Sequence, residues 1–204
     1  MPRVNPNKVA IGAVLLVANL AIVATHYLRP AARPAAATPA VAPAGAVPVA
    51  ETNLSVHFSP KGGCTDALVH EIDAAAESLH VQAYSFTSAA LAQAVIRAEK
   101  RGVAVVLILD KSQRGERYSS LTFFSNEHLP VHVDSVHAIA HNKVMLIDGK
   151  TVCTGSFNFT KAAENENAEN LLVIHDAAKL CARYEENFQK HLEHSPLYTP
   201  AETP

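Results

Sequence analysis

Tryptophan is absent from the 204 residues, methionine occurs twice, cysteine three times and glycine only eight times. So little glycine excludes a collagen-like repeat, and three cysteines cannot staple a disulfide scaffold. No sustained heptad pattern supports a coiled coil. Charged residues make up 18% and hydrophobic residues 49%. That is too apolar for a disordered chain and too mixed for a polytopic membrane protein. Acidic residues are missing from the first 50 positions, whose charges are Arg3, Lys8, Arg29 and Arg33. Residues 51–204 hold 13 basic and 19 acidic side chains, a net of −6, and ten of the eleven histidines. An acidic, histidine-rich region does not wrap nucleic acid by charge alone, although a locally basic groove remains compatible with it.

Val9 to Thr25 is a run of seventeen residues without a charge, preceded by Arg3 and Lys8. This length is the lower limit for a membrane span and slightly long for the apolar part of a signal peptide. Basic residues before the run favour an amino terminus that stays in the cytoplasm while the rest crosses. Residues 1–28 are therefore expected to be a signal peptide or signal-anchor helix. The remainder is expected to be exported, either to the periplasm or held at the inner membrane through residues 9–28. Residues 29–50 contain ten alanines and five prolines, a composition that prevents a continuous helix and favours an extended spacer. Residues 51–195 are then the folded domain, long enough for a sizeable core, with 196–204 as a tail.

Within that domain the pattern alternates. Leu54–Phe58 reads as a strand, and Thr65 is placed to cap a helix running to about Ser78. A second strand follows at His80–Phe86, and Ser88 starts a helix that ends at Lys100-Arg101-Gly102. Val103–Asp110 is an unbroken aliphatic run, as in a central strand buried on both faces. Lys143–Ile147 and Thr151–Thr154 flank Asp148-Gly149, a hairpin signal. Leu171–His175 is a further strand and Ala177–His191 a closing helix. Strands alternating with helices predict an α/β domain with a mixed β-sheet flanked by helices.

Cys64, Cys153 and Cys181 form an odd set with no zinc-like spacing to histidine, and Cys153 reads as a small buried hydrophobe. The spacing of His128, His132, His137 and His141 suggests a metal cluster, but Pro130 breaks any helix there and no acidic triad accompanies it. His191 and His194 suit the negative end of the last helix as solvated residues. Lys111, Arg114 and Arg117 form a basic loop that reads equally as solvated or as a contact to a substrate backbone. Tyr118, Leu121, Phe123, Phe124 and Leu129 make an apolar stretch expected to be core.

The chemistry concentrates in His141–Asn158, HNKVMLIDGKTVCTGSFN. On a strand, His141 and Lys143 project from the same face, placing an imidazole beside a cation. Ser156 and Asn158 repeat the spacing after the hairpin. Imidazole, ammonium, hydroxyl and amide around one point suit an anionic, oxygen-rich substrate such as a phosphodiester. Asp148 serves the hairpin turn whether or not it serves chemistry.

His141, Lys143, Asp148, Gly155, Ser156 and Asn158 keep every spacing of the phospholipase D superfamily motif. Chance agreement at six fixed positions is on the order of a few in a million. The stretches FSPKGGCTDALVHEI, YSFTS, RYSS and NAENLLVI extend the likeness over roughly residues 54–192, and the domain resembles the single-motif bacterial endonuclease branch, the Nuc branch. Mitochondrial cardiolipin-hydrolase and small-RNA-nuclease relatives are similar in size and also carry an N-terminal membrane segment. The resemblance implies a phospholipase D-type half-domain and hydrolysis through a phosphohistidine. One histidine attacks phosphorus while a second protonates the leaving oxygen and then activates water. With one copy of the motif, the chain is expected to act as a homodimer in which two His141 face each other. The resemblance also makes Glu169 the acid that hydrogen-bonds and orients His141, and makes Lys143, Ser156 and Asn158 the phosphate ligands, with Gly155 beside them. No metal or cofactor is implied. Nucleic acid and membrane phospholipid both contain the bond concerned, so nuclease and phospholipase D readings stand side by side. A catalytically silent, membrane-tethered binding module is the third.

Overall fold

The computed structural model describes residues 53–116 and 119–199. The expected leader, the Ala/Pro-rich spacer, Arg117, Tyr118 and the last five residues lie outside the described residues. One seven-stranded sheet organises the domain, in the order β1 (Leu54–Ser59), β7 (Glu169–Ile174), β6 (Thr151–Gly155), β5 (Lys143–Ile147), β2 (Ser78–Ala83), β3 (Ala104–Asp110) and β4 (Val131–Asp134). β2, β3 and β4 run parallel, and every other neighbouring pair is antiparallel. The mixed sheet flanked by helices is as expected. The strand β4 was not anticipated.

Alternation along the strands divides the core in two. Val105, Leu107 and Leu109 of β3 and Met145 and Ile147 of β5 face α1 (Cys64–Ala74) and α2 (Ala89–Lys100), meeting Leu68, Ile72, Leu91 and Val95. Ile108, Val144, Leu146, Val152 and Ile174 face the other way, where α5 (Ala178–His194) covers them with Cys181 and Phe188. The 104–110 strand is thus sandwiched, which explains its unbroken aliphatic run. Two short helices, α3 (Leu121–Asn126) and α4 (Lys161–Asn165), complete the connections. Leu121, Phe124 and Leu129 are buried and Phe123 packs against the core, as expected of that apolar stretch.

Local signals hold with two corrections. Ser88 caps α2 by accepting from the Leu91 N–H, and Gly102 follows that helix with φ 91°. Asp148 and Gly149, with φ 51° and 64°, form the hairpin turn closed by Lys150 N–H to Ile147 O, a type I′ arrangement. Thr65, however, is not the cap of α1. Gly63 occupies that position in the left-handed conformation, and the Glu164 carboxylate, from α4, accepts from the Gly63 and Thr65 N–H groups at 3.1 and 2.7 Å. An anion at a helix N-terminus satisfies otherwise unpaired donors. The helix also stops at Ala74 rather than Ser78, because the N–H groups of Ala76, Glu77 and Ser78 turn to the Asp148 carboxylate at 2.8–3.2 Å.

Candidate active site

The ladder between β2 and β5 continues one step past its named ends, where the Tyr84 N–H donates to Asn142 O at 2.9 Å. This fixes the backbone just after His141, as the bond from the Ala140 N–H to the Asp110 carboxylate does just before it, while the side chain stays exposed. The imidazole lies against the Tyr84 ring, with centroids 4.7 Å apart at 53°. Lys143, two residues on, is only 7% exposed. Its ammonium donates to the His141 carbonyl at 2.8 Å and sits 5.1 Å from the Tyr84 ring centroid. Burial pushes the Lys143 amine below its ordinary value, and the negative charge of Glu169 opposes that shift. The arrangement is a held cation with unused donors beside an imidazole that makes no side-chain hydrogen bond among the described residues.

Glu169 departs from expectation. Its carboxylate accepts from Asn167 Nδ2 at 3.1 Å and its N–H donates to Ser59 Oγ at 3.2 Å, while no hydrogen bond joins it to His141 among the described residues. The physical reason is position. Glu169 opens β7, which β6 separates from β5, so two strand spacings, about 9.6 Å, lie between them. A charge acts over that gap on Lys143; a hydrogen bond requires side chains that turn toward each other.

Gly155 and Ser156 are organised by Asn170. The N–H groups of Ser156 and Phe157 both donate to Asn170 O, at 3.1 and 3.2 Å, the pattern of a β-bulge. A Cβ on residue 155 would stand 2.2 Å from that same carbonyl oxygen, so only glycine permits the close approach. Ser156 Oγ accepts from the Asn170 N–H and its side-chain amide. Phe157 and Phe159 bury themselves in the core, leaving Asn158 between them with a buried Oδ1 that has no partner. An orphaned buried amide is costly unless something else completes it.

Asp148 lies apart from this group. It follows the opposite end of β5 from Lys143 and binds the backbone of residues 76–78, so its work is structural. Two residues of the basic loop are also engaged internally: Lys111 donates to His137 O at 2.7 Å, and the Arg114 guanidinium sits 5.2 Å from the Tyr198 ring. Sequence reasoning passed over Tyr84 and Asn170, and read Glu164 only as negative charge near the site, not as the carboxylate that caps α1. YSFTS contained the first in plain view, but its role depends on the β2–β5 register. All three cysteines are buried and unpaired, and burial raises each thiol, to about 11 for Cys64 and Cys181.

Residues 68–192 match the family described as "Cardiolipin synthase, PLD-like domain". The chain is 41% identical over 140 residues to a phospholipase D of Rickettsia conorii, covering 69% of this chain and 70% of that one. It is 29% identical over 164 residues to the mitochondrial cardiolipin hydrolase of Xenopus laevis, covering 76% of each. Among solved structures, the phospholipase D family member Nuc from Salmonella typhimurium superposes with a TM-score of 0.69 at 37% identity, over 71% of this chain and 97% of that one. NucT from Helicobacter pylori does so at 0.66 and 26%, over 71% and 98%. Fold, motif and relatives define an enzyme of phosphodiester chemistry. The chain belongs to the phospholipase D superfamily, in its Nuc-like branch.

Proposed function

We propose that this phosphodiesterase is a metal-independent nuclease that acts as a homodimer through a phosphohistidine. The observation that carries the reading is the pairing of an exposed imidazole, without a hydrogen bond among the described residues, with the buried Lys143 ammonium. A group that must form a bond to phosphorus cannot have its lone pair occupied, and the cation stabilises charge on the phosphoryl oxygens. His141 attacks phosphorus, an N–P bond forms and the P–O bond to the leaving group breaks. The partner subunit's His141 gives its proton to that oxygen. It then takes a proton from water, whose oxygen displaces the His141 nitrogen from phosphorus. Lys143, with Ser156 and Asn158, holds the phosphoryl oxygens.

Dimerisation follows from the single motif, and it has an apolar surface to use. Val136 and Ile139, 66% and 57% exposed, precede His141 by five and two residues. The nuclease reading draws support from the near-complete coverage of Nuc and from the burial of Leu121, Phe124 and Leu129, which are not available as an apolar lip. The same exposed Val136 and Ile139, with relatives named phospholipase D, favour a second reading in which membrane phospholipid is the substrate. Export, with residues 1–28 as signal peptide or anchor, remains part of the proposal.

The test offers duplex DNA, single-stranded nucleic acid and cardiolipin or phosphatidylcholine vesicles to the full-length protein and to His141→Ala, in excess EDTA. Cleavage of nucleic acid alone, lost in the variant, is expected. Phosphatidic acid released from vesicles assigns the lipase reading. Activity that requires added metal overturns the two-histidine mechanism, and full activity in a monomer by sedimentation overturns the shared site.

A further inference from the structure

Four side chains outside the active site converge on one point. Asp134 closes β4 with its side chain fully buried. Its Oδ1 accepts the backbone N–H groups of Val136 and His137 at 3.1 and 3.2 Å. Its Oδ2 lies 2.8 Å from His137 Nδ1, 3.0 Å from His191 Nδ1 and 3.3 Å from His194 Nε2. The four ligand-type atoms all fall within 4.8 Å of one another. Two short segments supply them: Asp134-Ser-Val-His137 in the turn after β4, and His191-Leu-Glu-His194 in the last turn of α5. Residues three apart on a helix share a face, so both α5 histidines reach the same carboxylate.

Hydrogen bonding alone serves this cluster poorly. A carboxylate oxygen offers about two lone-pair sites, and three imidazoles compete for them. The rings also crowd, with centroids 4.8–5.4 Å apart. Asp134, a carboxylate at neutral pH, supplies the anionic ligand. A divalent cation would serve all four atoms at once. Tetrahedral zinc with bonds of about 2.0–2.2 Å places its ligand atoms about 3.3–3.6 Å apart. The distances of 2.8, 3.0 and 3.3 Å to Oδ2 need to open by no more than about half an ångström or slightly above, and the widest separations, up to 4.8 Å, need to close. The two backbone bonds to Oδ1 already orient the carboxylate, as outer-shell partners do in metal sites. Three imidazoles and a carboxylate, with no thiolate, suit zinc and its first-row neighbours.

We propose that Asp134, His137, His191 and His194 form a structural zinc site. Its four protein ligands close the coordination sphere, so the ion stabilises and does not react. It would clamp the end of α5 to the segment that leads into His141. That segment is already tied at Ala140, whose N–H donates to the buried Asp110 carboxylate at 2.7 Å, and at His137 O by Lys111. The site is independent of which phosphodiester the enzyme cleaves.

The experiment strips full-length protein in detergent with a chelator, then titrates ZnCl2 against a chromophoric competitor and records Tm. One zinc per chain and a raised Tm are expected, with affinity falling more than about 100-fold in His194→Gln and His191→Ala and holding in His70→Gln, whose histidine is exposed on α1. Co2+ added to the stripped wild type should give the intense visible absorption of tetrahedral coordination, which tests the geometry without any variant. Activity of His194→Gln, measured well below its Tm, should match wild type and be indifferent to EDTA. Failure of the folded wild type to bind zinc one to one, an octahedral cobalt spectrum, or affinity unchanged in both variants would overturn the site.

Discussion

His137 and His141 lie four residues apart and live in opposite surroundings. His137 joins His191 and His194 around a buried carboxylate, each with one ring nitrogen within 3.3 Å of Asp134 Oδ2. His141 stands exposed against one aromatic ring, with no side-chain hydrogen bond among the described residues. The first arrangement converts imidazoles into cross-links between β4 and α5. The second leaves an imidazole available to a substrate and spends backbone pairing, through Tyr84 and Asn142, on holding it in place. Residue type does not separate the two; the number of satisfied nitrogens does.

That contrast can be broken from either side. The largest effect belongs to His141→Ala, which should lower kcat by about 10^4-fold or more while Tm moves by no more than about 2 °C, read by single-turnover assay and calorimetry. Loss of stability on that scale of a core residue would mean the imidazole is structural after all. Lys143→Met, which keeps the buried stem and removes the charge, should cost about 10^2–10^3 in kcat with the fold intact. On the other side, Asp134→Asn should destabilise chelator-treated protein by about 2–3 kcal/mol in urea, because an amide keeps one acceptor oxygen where the carboxylate uses both, yet leave the rate per folded molecule unchanged.

The smallest effect sharpens the role of Asp148. Burial would raise its carboxyl, but the three backbone N–H donors outweigh that and hold it below its ordinary value. A group depressed in the folded state contributes fully above its unfolded value near about 3.9, and the contribution disappears as pH falls through the folded value. Asp148→Asn should therefore cost about 1–2 kcal/mol at pH 7 and flatten the acid limb of stability against pH, with kcat unchanged. A fall in kcat without a fall in stability would return Asp148 to the chemistry.

Much of this was legible in the sequence because it is local. Strand alternation places Lys143 beside His141, Asp-Gly makes the hairpin, and the aliphatic run at 104–110 announces a sheet centre. What stayed hidden depends on segments that meet from far along the chain. Histidine spacing drew attention to residues 128, 132, 137 and 141, whereas the cluster takes one of them and adds two from a helix that reads as solvent-facing. The strand at 131–134 is four residues long behind a proline, too short for a period to declare itself. The need for glycine at 155 arises only from the carbonyl of Asn170 across the sheet. Glu169 shows the opposite limit: its expected bond to His141 was carried by resemblance, and in this structure the carboxylate turns to Asn167.

One sheet face is covered by α5, the last helix of the domain. During synthesis, Ile108, Val144, Leu146 and Val152 are made long before Phe188, so they emerge with nothing to cover them. Closure of that face is an event of the nearly finished chain, late and non-local, as contact separation predicts for slow folding steps. A chain cut short before Phe188 would be an adhesive sheet, a substrate for chaperones and proteases and no smaller enzyme at all.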